Sequence, residues 1–350
     1  MAKLHDDNFD NIHFERGGYN VRRIKNYYQK LIEDVVRLIS LNQIDVTKLF
    51  YFKDYPTLKK SVDVIFEQFA NNISVELNNQ IEQSWKYGEK KQADLVNRVA
   101  SRLNLSKEKT KEYLNPNTEA LKAFKTRKSD GLKLSDRVWK LSNQLKKEIE
   151  LGLDLGIGEG KSAAKLAREL KSNLTDPDRL FRRIRDKHGN LVLSKNAKAY
   201  NPGQGVYRYS YKNAERLTRT ENNIAYHEAN YQKMQRFDFV RGIEIRLSNN
   251  PNHCPFCEAM AGIYPKDFKF WGWHPQCLCS VITLLKTWEE MERDNTRILQ
   301  GLKPLESANM VKELPPQFTS WVSENKDKIQ NAKSKPYFIQ NNKEKISHLL

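Results

Sequence analysis

The sequence predicts a predominantly helical α+β protein: a helical N-terminal region, a small zinc-stapled α+β domain and a helical C-terminal tail. Three observations lead there. Apolar residues recur at helical spacing through the first third of the chain. Strand-like runs are confined to the second half. All four cysteines lie between Cys254 and Cys279, and in a chain with no secretion signal such clustering points to a metal site more than to a disulfide scaffold. The expected organisation is a helical region over 1–130, the α+β domain over 131–287 and the tail over 288–350.

The elements follow in order. Ile24, Tyr27, Leu31, Val35 and Leu38 predict one helix, and Ile65, Phe69, Ile73, Leu77 and Ile81 predict a second, with a break at Tyr55-Pro56. The charged stretch from Arg102 to Asp130, interrupted by Asn115-Pro116-Asn117, reads as a connector. A helix capped by Ser135 should follow, with Val138, Leu141, Leu145 and Ile149 as its buried stripe.

The glycine-rich run Gly152–Ser162 ends in Gly160-Lys161-Ser162, the close of a phosphate-binding loop. That motif needs a glycine where Leu155 stands and a strand before it, whereas a Lys/Glu-rich helical pattern precedes it. The run is therefore read as helix, glycine turn, helix, the second helix carrying Ala163, Leu166, Ala167 and Leu170. Arg179, Arg182, Arg183 and Arg185 could face phosphates from a short helix or form a solvated face. Val206–Tyr211 alternates like a short strand or an arm. A helix over about Ala214 to Phe237, strands at Ile243–Leu247 and Val281–Leu285, and a tail helix entered at Pro315-Pro316 complete the pattern. Phe318, Trp321, Val322 and Ile329 form the tail's stripe.

With 350 residues the chain can bury a sizeable core. Its net charge of +17 favours polyanionic neighbours, or else a solvated lysine-rich surface. No apolar run approaches the roughly 20 residues of a membrane span, and the polar start resembles no signal peptide. The protein is expected to stay in the compartment where it is made, without a membrane partner.

The cysteines carry the chemistry. Cys254-Pro255-Phe256-Cys257 is a C-x₂-C knuckle, and after residues 258–273 comes His274-Pro275-Gln276-Cys277-Leu278-Cys279. Two such halves supply the tetrahedral sulfur and nitrogen shell that zinc prefers. An extended Cys277–Cys279 would give a four-cysteine site, and a tight turn at Pro275 would let His274 replace one thiol. His253 reads as a bystander. The competing readings are a set of buried reduced thiols and a disulfide formed after lysis. A catalytic zinc would need an open position and a general base. Only Glu258 is adjacent, with Asp267 within reach if its loop folds back, so the expected role is structural.

Arg216-Leu217-Thr218-Arg219-Thr220-Glu221-Asn222, a strand, a polar turn, the C-x₂-C knuckle, a loop containing Gly262 and the His274-Pro275-x-Cys277-x-Cys279 ending occur in that order. Together they resemble the phage Mu F-like head morphogenesis family, the minor head or minor capsid proteins, over Leu134 to Leu285. Leu314-Pro315-Pro316-x-Phe318-x-x-Trp321 and Pro336-Tyr337-Phe338-Ile339 are similar to the tails of a subgroup. The resemblance implies a low-copy structural component of the virion, assembled in the bacterial host cytoplasm. It implies portal and capsid partners, non-specific DNA contact and no catalytic turnover.

Two rivals stand beside it. One is a nucleic-acid-binding zinc protein, although the residues after Cys279 are apolar. The other is an effector enzyme, nuclease or ADP-ribosyltransferase-like. Its only polar cluster would be Arg219, Glu221, His227 and Glu228, otherwise expected on solvated helix faces. The aromatics Phe318, Trp321, Tyr337 and Phe338 could serve docking or core packing.

Overall fold

The computed structural model describes residues 8–176, 182–193, 198, 200, 203, 206–248 and 254–350, and only the backbone of 182–184, 191 and 193. Its helices are α1 (Asn8–Ser40), α2 (Pro56–Leu103), α3 (Lys107–Leu114), α4 (Thr118–Thr126), α5 (Leu134–Gly158), α6 (Ala163–Asn173), α7 (Ser210–Met234), α8 (Pro255–Met260) and α9 (Trp288–Leu299), then four short tail helices, α10 (Pro316–Glu324), α11 (Lys326–Asn331), α12 (Tyr337–Asn341) and α13 (Lys343–Ile346). The strands are β1 (Arg182–Arg185), β2 (Leu191–Leu193), β3 (Val240–Arg246), β4 (Gly262–Tyr264) and β5 (Ser280–Leu285). The protein is thus predominantly helical α+β, as the periodicity predicts. No helix among the described residues is long and apolar enough to cross a membrane. The chain forms two compact units, residues 1–18, 80–126 and 219–350, and residues 19–79 and 127–218.

In the unit of 19–79 and 127–218, α1 buries Ile24, Tyr28, Leu31 and Val35, and the Tyr28 ring packs edge-on against Phe69 and Tyr211 at 4.9 and 5.3 Å. The expected α5 stripe of Val138, Leu141, Leu145 and Ile149 is buried. Its start differs from expectation: Ser135 is not the cap. Asp136 accepts the Lys133 N–H at 2.9 Å, and the helix opens at Leu134, because a carboxylate at the third helical position reaches back to the exposed amide.

The glycine run is helix, turn and helix. Gly160 turns the chain at φ +66°, and Ser162 caps α6 by accepting the Lys165 N–H. A Cβ on Gly156 would stand 2.1 Å from Leu166 Cδ2, so this glycine serves close helix packing and not a phosphate. Of the two readings of Val206–Tyr211, the strand is absent: residues 206–209 are irregular. Ser210 and Tyr211 open α7, and the Asn213 side chain ties the preceding segment by accepting the Tyr207 N–H at 2.9 Å and donating to the Tyr207 carbonyl at 2.7 Å.

In the unit of 1–18, 80–126 and 219–350, the stretch expected as a connector holds α3 and α4. Each buries a single aromatic, Tyr113 and Phe124, which is too little to leave a periodic signal. The sheet runs β4-β3-β5, antiparallel throughout, with Ile243 opposite Tyr264 on one side and Thr283 on the other. An aromatic core lies against it. Trp273 packs on Phe270 at 5.0 Å and on Phe338 at 5.1 Å, and Phe318 meets Phe268 at 5.3 Å. Phe318 and Phe338 are therefore interior residues and offer no docking surface. Trp321 is half-buried against Phe256 at 5.0 Å.

Candidate metal centre

Cys254 is the N-cap of α8, Pro255 opens the helix, and Cys257 follows within the first turn. Residues three apart share a helix face, so both thiols of the knuckle can address one point. The second half arrives through a tight turn. The Cys277 N–H bonds back to the His274 carbonyl at 3.1 Å, and Gln276 takes φ +62°. Gly272, at φ +117°, brings the loop in so closely that a Cβ there would lie 3.0 Å from that of Cys277. The tight turn is the one present, and His274 joins one group of possible ligands while Cys277 and Cys279 join another.

The ligand atoms form two groups that share Cys257. One is Cys254, Cys257 and His274; the other is Cys257, Cys277 and Cys279; the atoms of each lie within 4.8 Å of one another. Cys257 Sγ stands 3.2 Å from His274 Nε2 and 3.9 Å from Cys277 Sγ. Tetrahedral zinc with bonds of about 2.3 Å to sulfur and 2.0–2.1 Å to nitrogen would place such atoms about 3.5–3.8 Å apart. The donor set and its spacing fit a metal ion. His274 Nδ1 sits 2.8 Å from the Pro275 carbonyl, and donating there leaves the Nε2 lone pair facing Cys257. No cysteine is in a disulfide.

The cluster's electrostatics follow from shared protons. Hydrogen bonds from the Cys257 and Cys279 thiols hold Cys277 well below the ordinary thiol range. Cys257 is pushed up by its bond to Cys277, and Cys279 by its bonds to Cys257 and Cys277. Three of the thiols are buried, Cys254 is half-buried, and among the described residues no carboxylate joins either group. Glu258 is exposed, Asp267 pairs with Lys345, and His253 lies outside the described residues.

Periodicity did not reveal what supports the cluster. From α7, Thr220 Oγ1 accepts the Gln276 N–H at 3.2 Å and Asn223 Nδ2 donates to the Cys277 carbonyl at 3.0 Å. Asn223 Oδ1 lies 3.3 Å from Nε2 of His13, whose ring stacks on Tyr226 at 4.0 Å. The Tyr226 hydroxyl donates to Asp10 at 2.7 Å, and Lys91 Nζ bonds both Asp10 oxygens at 2.8 Å and the Val281 carbonyl at 2.9 Å. Burial holds the His13 imidazole down at about 3 and that of His227 at about 4.

The polar cluster weighed for an enzyme is not on a solvated face. Glu221, His227 and Glu228 are buried, and Arg219 is half-buried. Glu228 accepts from Trp271 Nε1 at 2.6 Å, Gln232 Nε2 at 2.8 Å and Lys269 Nζ at 3.0 Å, while the His227 ring lies between Tyr226 and Phe270. Glu228 is engaged in the core, while neither ring nitrogen of the buried His227 has a hydrogen-bond partner among the described residues.

The arginine segment is corrected as well. Arg182 to Arg185 form a strand paired antiparallel with Leu191–Leu193, not a short helix. The turn between them is built by Asp186, whose Oδ1 accepts the N–H groups of His188 and Asn190 at 2.8 and 2.9 Å, and by Gly189 at φ +78°. Arg185 is exposed and bonds the Gly189 carbonyl at 2.6 Å. Arg179 lies outside the described residues, as do the side chains of Arg182 and Arg183.

No protein-family model, curated protein or solved structure matches the chain.

Proposed function

We propose that the protein is a minor structural component of a tailed-phage head, assembling at or near the portal, and that its Cys/His cluster holds a structural zinc. One observation carries the reading. The separated pieces of the resemblance, the Arg-Thr-Glu segment of α7 and the His-Pro-x-Cys-x-Cys ending, meet around one cluster, with Thr220 and Asn223 bonded to the backbone of Gln276 and Cys277. The ion would be held by four of Cys254, Cys257, His274, Cys277 and Cys279, and would supply cross-linking of the loop to α8. Buried thiols and the engagement of Glu228 in the core favour a scaffold over a reaction centre. The arginine hairpin and the charge of +17 favour non-specific DNA contact inside the head.

The test is co-expression with portal and major capsid proteins, followed by sedimentation and mass spectrometry of the particles. The chain should appear in proheads and virions at substoichiometric copy number. Absence from both, with toxicity when the chain is expressed alone, would sink the proposal in favour of an effector enzyme.

A further inference from the structure

In the unit of 19–79 and 127–218, a cavity of about 20 Å³ lies among residues of α1, α5, α6 and the start of α7. That volume suits a single water-sized guest. Ile32, Leu145 and Leu170 furnish apolar wall, while Glu148 and Asn173 bring polar groups to it. Asn173 is 7% exposed, and among the described residues neither its Oδ1 nor its Nδ2 has a hydrogen-bond partner. Buried amides are almost always bonded, so a side chain with both atoms unmet indicates a missing partner.

Glu148 presents the complementary imbalance. Its Oε1 accepts the Ser210 N–H at 2.7 Å and the Tyr200 hydroxyl at 3.2 Å, and Gln144 adds a further bond. All three donors are neutral, and among the described residues no Lys, Arg or His pairs with this buried carboxylate. A buried charge without a counter-charge is strongly disfavoured and must take up a proton or a cation.

We infer that this cavity binds one monovalent cation of ammonium or potassium size, held between the Glu148 carboxylate and the Asn173 carbonyl oxygen. An anion is excluded by Glu148. A divalent ion would leave an uncompensated positive charge beside the single buried carboxylate. Water would satisfy Asn173 only with Glu148 keeping its proton. Burial pushes the Glu148 carboxyl up to about 8, so without the cation it carries a proton near neutral pH. Binding is then an exchange: the cation enters, the Glu148 proton leaves, and the charge in the cavity is conserved. Glu148 also caps the first amide of α7, so occupancy stiffens the joint between α5 and that helix.

The test compares thermal unfolding at pH 8.5 in choline, lithium, potassium and ammonium chlorides at one ionic strength. Potassium or ammonium should raise the melting temperature saturably, and adding either to weakly buffered protein at pH 7.5 should release protons, at most one per chain. Glu148→Gln should abolish both effects. Asn173→Leu, which keeps the carboxylate, should raise the half-saturating concentration about tenfold, a loss of one ligand's worth of affinity. Identical melting in all four salts with no proton release means a water only and overturns the inference. So does a cation response that survives unchanged in Glu148→Gln.

Discussion

Asn223 donates to the carbonyl of Cys277 at 3.0 Å, from a helix that contributes no ligand to the cluster. The bond is buried, and the same amide faces His13 through its oxygen, so one side chain ties the thiol-bearing loop to the N-terminal helix. Asn223→Leu leaves both groups unsatisfied and should cost about 1–3 kcal/mol. Chemical denaturation measures the cost. The same variant should release its metal to a chelator faster than wild type, because the loop loses a tether.

Cys257 belongs to both ligand groups, whereas Cys254 belongs to one. Protein purified without chelator should contain about one zinc per chain, as a tetrahedral structural site requires. Cys257→Ser should lose most of the metal and unfold at lower temperature, since metal binding contributes folding free energy. Cys254→Ser should retain more, with Cys257, His274, Cys277 and Cys279 remaining. Elemental analysis and thiol titration decide the ranking. Equal metal loss in the two variants would remove the pivotal role of Cys257.

Much of this architecture was legible in the sequence. The stripe of α5, both long strands of the sheet and all five metal candidates follow from periodicity and spacing, while the stripes of α1 and α2 were offset in part: Tyr27, Leu38 and Ile65 are half-buried and their neighbours Tyr28, Ile39 and Phe66 are buried. What was missed shares a physical cause. Tyr113 and Phe124 are each the single buried residue of a short charged helix, and a single apolar residue has no period. Asp186, Gly189 and Asn190 did carry a turn signal, but the arginines around them drew the reading towards a helix. The polar residues of α7 read as solvent-facing because their partners, Asp10, Lys91 and Trp271, are remote in sequence. Burying them depends on those partners, which hydropathy along one helix cannot report.

The Asp10–Lys91 pair is buried on both sides, and each partner makes further bonds. Removing one charge strands the other, so Lys91→Met should destabilise by about 3–5 kcal/mol. Combining it with Asp10→Leu should recover part of that loss, because no uncompensated charge remains. Urea unfolding of the two single variants and the double variant gives the coupling directly. A double variant as unstable as the sum of the singles would show that the pair's other hydrogen bonds dominate.

His13 gives a pH dependence of defined sign. Its imidazole titrates near 6.5 when unfolded and is held at about 3 by burial in the folded protein. Between those values the unfolded state binds the extra proton, so this residue's contribution is present above pH 6.5 and is lost as pH falls towards 3. The slope is at most about 1.4 kcal/mol per pH unit for one proton. Subtracting the stability profile of His13→Gln from that of wild type isolates it. A flat difference between pH 6.5 and 4 would mean that His13 is already charged in the fold.

The last prediction concerns the arginine hairpin. A protein of charge +17 that contacts packaged DNA without reading it should bind duplexes weakly, and its affinity should fall steeply with salt as counterions are released. The strand geometry alters what mutagenesis should show. The segment is a strand of a two-stranded ribbon with a register irregularity between Arg182 and Ile184, and not a helical stripe. Arg185, exposed beside the turn, is the residue described in contact-ready form, and it gives up a bond to the Gly189 carbonyl when it turns to a phosphate. Arg185→Ala should lower affinity for all sequences alike and reduce the salt slope by about one. Replacing Arg182 and Arg183 as well should reduce it further. Fluorescence anisotropy with unrelated duplexes over a range of salt measures both quantities. Affinity insensitive to salt, or strongly dependent on sequence, would rule out the packing-associated contact and assign the hairpin's charge to a protein partner.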